Sequence, residues 1–243
     1  MTTQDFPENS KQWVCLQCGY NMIGEMPDVC PFCGARHDQF MTWDAAEKTY
    51  HVTTRPVTDG VSQLLSVPKL GLEHAAYRIE TADGAVWIDS PSAFNRNIAP
   101  VQSILFTHHH FLGASNQYRQ IWHAEVWLHE QDAKHHLVSL FDIDRHFEND
   151  FNHKGIKAYH VGGHTPGFTF YIDRDVLFIC DYVFLNASGM QFNPYGPESG
   201  TRKQAQRIYQ IVSTRSLRIV CGYNYIANFA DWLPGFERLL SVA

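Results

Sequence analysis

The chain has 243 residues, of which 44% are hydrophobic, 14% aromatic and 18% charged; that composition builds a core and excludes a disordered chain. Its formal net charge is −6 with neutral histidine, and it contains no Lys/Arg run, which argues against nucleic acid as a partner. No apolar stretch approaches the about 20 residues of a membrane span, and Met1 to Ser10 is polar and acidic, unlike a secretory signal or an Arg-rich transit peptide. The expectation is a cytoplasmic protein with a small-molecule substrate and neither nucleic acid nor membrane as a partner.

Taken in chain order, residues 11–40 hold four of the six cysteines and little apolar periodicity. So short a segment cannot build a sufficient core and needs a staple. Residues 41–60 read as a connector leading into a first strand, and residues 61–243 as the main domain. Apolar runs bounded by turn residues predict strands at 75–80, 85–89, 103–107, 125–128, 155–161, 168–172, 176–180 and 217–221. Helical spacing predicts helices at 114–122, 130–141, 198–213 and 231–242, the third with apolar Ala205, Ile208, Ile211 and Val212. Hairpin turns are expected at Ala82-Asp83-Gly84 and Asp173-Arg174-Asp175. Hairpins mixed with strand–helix pairs imply an α/β molecule of two mixed sheets, face to face, with helices outside. No internal repeat or low-complexity segment is present.

The cysteines fall in two CxxC pairs, Cys15-Leu16-Gln17-Cys18 and Cys30-Pro31-Phe32-Cys33. Each pair is a tight knuckle that aims two thiolates at one point, and two knuckles close a tetrahedral site of four sulfurs. Gly19 and Gly34 follow the second cysteine of each pair, where the backbone can take positive φ and direct N–H groups at sulfur. Clustered cysteines in a reducing compartment read as metal ligands before disulfides. CxxCGY, then CPxCG, with Trp13 before the first pair and Phe40 after the second, resembles rubredoxin. The short spacer between the pairs, residues 19–29, is similar to the compact rubredoxin-like module of rubrerythrins. The resemblance implies one iron on Cys15, Cys18, Cys30 and Cys33 that carries single electrons. A zinc ribbon is the alternative, because four sulfurs suit both metals.

Histidine supplies the second signal, with 14 in the chain. An apolar strand ends at Thr107 and His108-His109-His110 follow at once. In an extended segment His108 and His110 share one side while His109 points away. Gly162-Gly163-His164-Thr165-Pro166-Gly167 again follows a strand, and Phe178-Ile179-Cys180 delivers Asp181 at a strand end. Each piece alone has a plainer reading: a solvated loop, a Pro-Gly turn, a polar strand stop. Together they place three strand ends at one sheet edge. His74, His123, His129, His135, His136, His146, His153 and His160 have no such spacing and read as surface or hydrogen-bonded residues. Cys180 and Cys221 read as buried small hydrophobes, with a redox thiol or soft ligand as the sharper alternative. Tyr223 reads as a core or rim tyrosine, or as a hydrogen-bond donor to a metal-bound ligand.

Over about residues 60–225 these pieces, with Trp87-Ile88-Asp89-Ser90 and the segment 128–133, resemble the metallo-β-lactamase superfamily. The resemblance implies an αββα sandwich with metals at the sheet edge. It assigns His108 and His110 to the HxH pair, His164 to the later histidine and Asp181 to the bridging carboxylate. The family's Asp and His of the HxHxDH motif are here Leu112 and Gly113, and Cys221-Gly222-Tyr223-Asn224 lacks the last histidine. The implied centre is therefore mononuclear, one iron or zinc on His108, His110, His164 and Asp181. The superfamily includes one-iron persulfide dioxygenases and two-iron flavodiiron proteins, the latter sometimes fused to rubredoxin. Flavodiiron proteins carry acidic ligands at the positions of His110 and Leu112, so their activity is not implied. The fusion points to a metallo-β-lactamase-fold oxidoreductase with an O2, NO or sulfur-type substrate, supplied with electrons by a reductase partner. A single-zinc hydrolase of a small ester or thioester, and a non-catalytic scaffold with a structural metal knuckle, are the alternatives.

Overall fold

Burial along the central strands sets the layers. In the run Val176-Leu177-Phe178-Ile179-Cys180 every residue is buried, so both faces of that strand meet apolar partners. A computed structural model describes residues 11–187 and 189–241. The acidic N-terminal decapeptide, and the last residue of the helix expected at 231–242, lie outside them.

The first module is a three-stranded sheet, β1 (Gln12–Cys15), β2 (Asn21–Ile23) and β3 (Phe40–Thr42), in the order β2-β1-β3. Helix α1 (Trp43–Thr49) leads out of it. A seven-stranded sheet follows: β4 (His51–Thr58), β5 (Val61–Val67), β6 (Ala76–Thr81), β7 (Gly84–Ile88) and β8 (Ser103–Leu105), then β9 (Glu125–His129) and β10 (Arg145–Phe147), adjacent in chain order. Helices α2 (Ser115–Trp122) and α3 (Glu130–Ala133) flank β9 in the chain. The second sheet runs β11 (Phe151–His153), β12 (Ile156–His160), β13 (Thr169–Asp173), β14 (Val176–Cys180), then β17 (Ile219–Gly222) and β18 (Ile226–Asn228). Between β14 and β17 come the ribbon β15 (Val183–Asn186) and β16 (Gly189–Phe192) and helix α4 (Glu198–Val212); α5 (Phe229–Ser241) ends the chain.

The sheets face each other across a core that includes Val86, Ile88 and Leu105 from one and Ala158, Tyr171 and Phe178 from the other. On the outer face of the first sheet, Trp87 and Val126 pack with Tyr118 of α2. On the outer face of the second, Phe170, Leu177 and Ile179 pack with Ala205, Ile208 and Val212 of α4 and Trp232 and Phe236 of α5. This is the expected αββα sandwich, and both expected hairpins join paired strands, β6 to β7 and β13 to β14.

Several boundaries differ from the sequence reading. The stretch 41–60, read as a connector, supplies α1 and β4, and β4 pairs along β5 as the edge of the large sheet. Its exposed, Thr-rich strand lacks the apolar run that marks an inner strand. The helix expected at 130–141 stops at Ala133, and a short 3-10 turn, His136–Val138, replaces the rest. The His135 ring accepts the Leu137 N–H and starts that new turn.

One buried histidine outside the expected site links stability to pH. His74 stacks on Phe111 with centroids 3.9 Å apart, and its Nε2 lies 2.8 Å from the Ser90 carbonyl. Burial pushes its pKa down from 6.5 to about 3. The unfolded chain therefore takes up a proton near its ordinary pKa while the folded chain does not. The contribution of neutral His74 is complete above that value and is lost as pH falls toward the folded one. Relative to His74→Gln, the wild type is expected to lose about 2 kcal/mol of urea stability between about pH 8 and about pH 5. Parallel curves for the two proteins would contradict this.

Candidate metal centres

The two CxxC knuckles converge as their spacing requires. Cys15 Sγ lies 3.7 Å from Cys33 Sγ, and Cys18 Sγ lies 3.8 Å from Cys30 Sγ. Four sulfurs at about 2.3 Å from one ion sit about 3.8 Å apart at the corners of a tetrahedron, so the set fits a bound metal. Thiols this close do not ionise independently. Hydrogen bonding with Cys18 pulls Cys15 down to about 2, and the same contact pushes Cys18 up; a metal resolves the conflict by taking all as thiolates. Gly19 and Gly34 have the expected positive φ, 78° and 73°. Their N–H groups, expected at sulfur, instead donate to the carbonyls of Cys15 and Cys30 at 2.8 and 2.9 Å, closing each knuckle as a turn.

His108, His110, His164 and Asp181 also converge, each offering a ligand atom within 4.8 Å of the others. His164 Nε2 is 3.3 Å from His110 Nδ1 and 3.5 Å from Asp181 Oδ2, and His108 Nε2 is 3.6 Å from Asp181 Oδ1. Bonds of about 2.0–2.1 Å to one ion imply ligand spacings of about 3.3–3.4 Å. His108 Nε2 and Asp181 Oδ1 are buried without a hydrogen-bond partner among the described residues. Two such atoms aimed at one point are costly unless an ion satisfies them. Burial holds His108 and His110 well below the ordinary histidine range and His164 at about 4, so all three are neutral imidazoles, the ligand form. Burial, with Asp89 nearby, pushes Asp181 up, a cost that a cation would remove.

The geometry of the HxH pair differs from the extended segment expected. His108 is extended (φ −169°, ψ 175°), but His109–Phe111 is a 3-10 turn. His109 still points away, placing Nδ1 3.1 Å from Asp132 Oδ2.

Two carboxylates hold the ligands in place. Thr107 Oγ1 donates to Asp89, 2.9 Å from Oδ2, so it accepts from His108 Nδ1–H at 2.9 Å; His108 then presents the Nε2 lone pair. Asp132 accepts from His109 N–H at 3.1 Å, Thr165 Oγ1 at 2.8 Å and Gly167 N–H at 2.8 Å. It ties the histidine turn to the loop bearing His164. Burial pushes Asp132 up, but His109, Thr165 and Gly167 together outweigh it and hold the carboxyl below its ordinary range. A Cβ on Gly167 would lie 2.7 Å from Asp132 Cγ, so glycine is required there. Asn193 Nδ2 donates to Asp181 Oδ2 at 2.9 Å. Sequence spacing did not single out Asp132 or Asn193, because their role exists only across the loops they join.

The positions that depart from the family motif are built into the fold. Leu112 is buried with Phe94 and Tyr118. Gly113 has φ +50°, and an added Cβ would lie 2.4 Å from the Pro91 carbonyl. Its own carbonyl accepts from Gln12 Nε2 of β1 at 3.1 Å. Cys221 is fully buried between the sheets, and the buried Cys180 thiol donates to Asp89 Oδ2 at 3.3 Å. Burial pushes both thiols up, away from the thiolate form of a ligand or nucleophile. The Tyr223 hydroxyl donates to the Leu72 carbonyl.

The two centres meet across one cavity. Phe32, inside the second knuckle, sits edge-on to His110 with centroids 4.9 Å apart. A cavity of about 410 Å³ is lined by Cys18, Phe32 and Cys33 on one side and by Phe111, Asp181 and Phe184 on the other.

Residues 13–41 match the family model of the rubrerythrin rubredoxin-like domain. Solved structures resemble the remainder. A metallo-β-lactamase from Pontibacter korlensis is 17% identical, covers 79% of this chain and 98% of its own, and superposes with a TM-score of 0.60. FIM-1 from Pseudomonas aeruginosa, in a mono-zinc form, is 10% identical over 78% of this chain and 94% of its own (TM-score 0.58). TTHA1623, in a di-iron-bound form, is 21% identical over 65% of this chain and 91% of its own (TM-score 0.54). A search of curated proteins finds no match. The chain joins a rubredoxin-like four-cysteine module to a metallo-β-lactamase fold.

Because Leu112 is core and Gly113 is sterically closed, placing the motif's Asp and His at these positions is not expected to build a second centre. The double variant Leu112→Asp/Gly113→His is expected to lose about 3 kcal/mol or more in urea unfolding without gaining a metal equivalent. A stable variant with one more bound metal would overturn that expectation.

Proposed function

We propose that the chain is a redox metalloprotein in which iron on Cys15, Cys18, Cys30 and Cys33 passes single electrons to a mononuclear iron on His108, His110, His164 and Asp181. The observation that carries this reading is the Phe32–His110 contact. A ring from the cysteine knuckle rests at 4.9 Å on a ligand of the second centre. Iron held by the four cysteines would supply one-electron transfer, with an external reductase partner as the electron source, and iron held by His108, His110, His164 and Asp181 would be the acceptor. Ligation by three histidines and one aspartate suits non-haem iron, which has coordination room for a small diatomic or sulfur-type ligand. The di-iron form of TTHA1623 supports iron on this fold.

The chain's own residues prepare the second centre. Thr107 and Asp89 fix the His108 tautomer, and Asp132 holds both histidine loops. Phe111 and Phe168 pack against His108, and Phe32 against His110. No described helix is long and apolar enough to cross a membrane. A mononuclear zinc hydrolase is the competing reading. Its weakness is that three histidines and one aspartate fill a tetrahedral zinc, where catalysis needs an open position.

Protein purified anaerobically without added metal is expected to hold about two irons per chain, one per donor set. Its colour should bleach on reduction. His164→Ala should retain the coloured iron of the cysteine site and lose the other. Phe32→Leu should keep both metals while slowing re-oxidation of the cysteine-bound iron after reduction. Zinc alone in both centres of protein from the native host would sink the electron-transfer reading.

A further inference from the structure

One amide at the second centre is left with a hydrogen to give. Asn193 follows β16 in the loop Asn193-Pro194-Tyr195-Gly196-Pro197, which leads into α4. Its two prolines restrict the backbone, and the loop is pressed onto His164: a Cβ on Gly196 would lie 2.7 Å from His164 Nδ1 and 2.9 Å from the His164 carbonyl oxygen. The Asn193 N–H donates to the Tyr182 carbonyl at 3.1 Å, so the residue is anchored at its backbone as well.

Its side chain has one orientation. Asn193 Oδ1 accepts the Tyr195 N–H at 2.9 Å. A backbone N–H only donates, so the atom facing it is oxygen and the other end of the amide is nitrogen. That nitrogen lies 2.9 Å from Asp181 Oδ2 and 3.3 Å from His164 Nε2, atoms of two members of the donor set. Nδ2 carries two hydrogens. One goes to Asp181 Oδ2. The other loses His164 Nε2 as an acceptor once a metal takes that lone pair, and no third acceptor is within hydrogen-bond distance among the described residues. Asn193 is 3% exposed, so bulk solvent does not take this hydrogen either. The same orientation commits Oδ1 to Tyr195, so Asn193 is a donor at the centre rather than a fifth ligand.

A donor here separates ligand classes by acceptor strength. Nitrogen and oxygen accept strongly, more so when they carry negative charge, whereas sulfur accepts weakly. The cavity that reaches Asp181 gives a small molecule access. We propose that Asn193 Nδ2 donates to the small ligand held at the centre of His108, His110, His164 and Asp181, and thereby raises affinity for a ligand that presents nitrogen or oxygen, the diatomic class, relative to one that presents sulfur. This presupposes metal at the second centre, as in the proposed function, and selects between that function's two ligand classes. The positive charge of the metal attracts both classes; the hydrogen bond tells them apart.

The test is calorimetric titration of the reduced, metal-loaded full chain with azide, which presents nitrogen, and with ethanethiol, which presents sulfur. Asn193→Leu is expected to weaken azide about tenfold or more and ethanethiol less than about twofold. A structural role alone, in which Asn193 only steadies Asp181, would weaken both alike, and that result would overturn the proposal. The wild type supplies a second reading that needs no variant: the infrared stretch of bound azide should move on exchange into D2O. A stretch that stays in place in D2O, or a shift that persists in Asn193→Leu, would also overturn it. Metal content of the same samples separates the two claims. Zinc at the histidine–aspartate centre with the azide-selective loss intact would defeat electron transfer and leave Asn193 as the donor; iron there with equal loss of both ligands would defeat only the hydrogen bond.

Discussion

The seam between the cysteine knuckles and the sandwich is a buried network of amides, and both centres are placed by it. Gln12 of β1 donates to Asn21 Oδ1 at 2.7 Å and to the Gly113 carbonyl at 3.1 Å, and it accepts from Gln117 Nε2 of α2 at 2.9 Å. Asn21 Nδ2 donates onward to the Ser92 carbonyl at 3.0 Å. Each group is buried, so a single lost partner leaves an unsatisfied polar atom; the network holds one docking geometry rather than many. The backbones approach closely as well. Leu72 N–H donates to the Gln17 carbonyl at 2.9 Å, and a Cβ on Gly71 would collide with that carbonyl at 2.2 Å.

Two positions of the motif that the chain resembles are taken up by this docking and by the core. Gly113 stands where the superfamily motif has a histidine, and here its carbonyl anchors the cysteine module. Leu112 stands where the motif has an aspartate, and here it fills the core under α2. Three histidines and an aspartate form the one convergent His/Asp set among the described residues, with Phe32 of the knuckle resting on His110.

Rigidity at the centre comes from groups that never reach the ligand point. Asp132 bridges two loops far apart in sequence, and Asp89 reaches His108 through Thr107. Both carboxylates are buried and fully engaged, which costs desolvation and returns a fixed ligand geometry. Asp89 even accepts positive φ, 60°, to place its side chain. Strain of this kind, of order 1–3 kcal/mol, persists where the surroundings over-determine it.

Legibility followed locality. Both CxxC knuckles were readable because their ligands are neighbours in the chain and their chemistry has few other uses. Strands β7 and β14 were readable because each is an apolar run with burial on both faces, and β6 and β9 because buried apolar residues alternate with less buried ones. Strand β4 was not, because an exposed edge strand has no such run, and the helix at 130–141 failed because the His135 ring accepts the Leu137 N–H and starts a new turn. The convergence of His108, His110, His164 and Asp181 was foreshadowed by their places at strand ends. Their local geometry was not, since His109–Phe111 is a turn.

The sequence by itself determined the donor sets, the two-part organisation and the absence of the second-site ligands, because side-chain chemistry and short spacings are properties of the chain alone. Only the tertiary structure decided that the cysteine module packs beside the histidine–aspartate centre, that Phe32 touches His110, and that an aromatic-walled cavity lies between them. Those features depend on long-range packing at the Gln12–Gly113 seam, whose partners lie 101 residues apart.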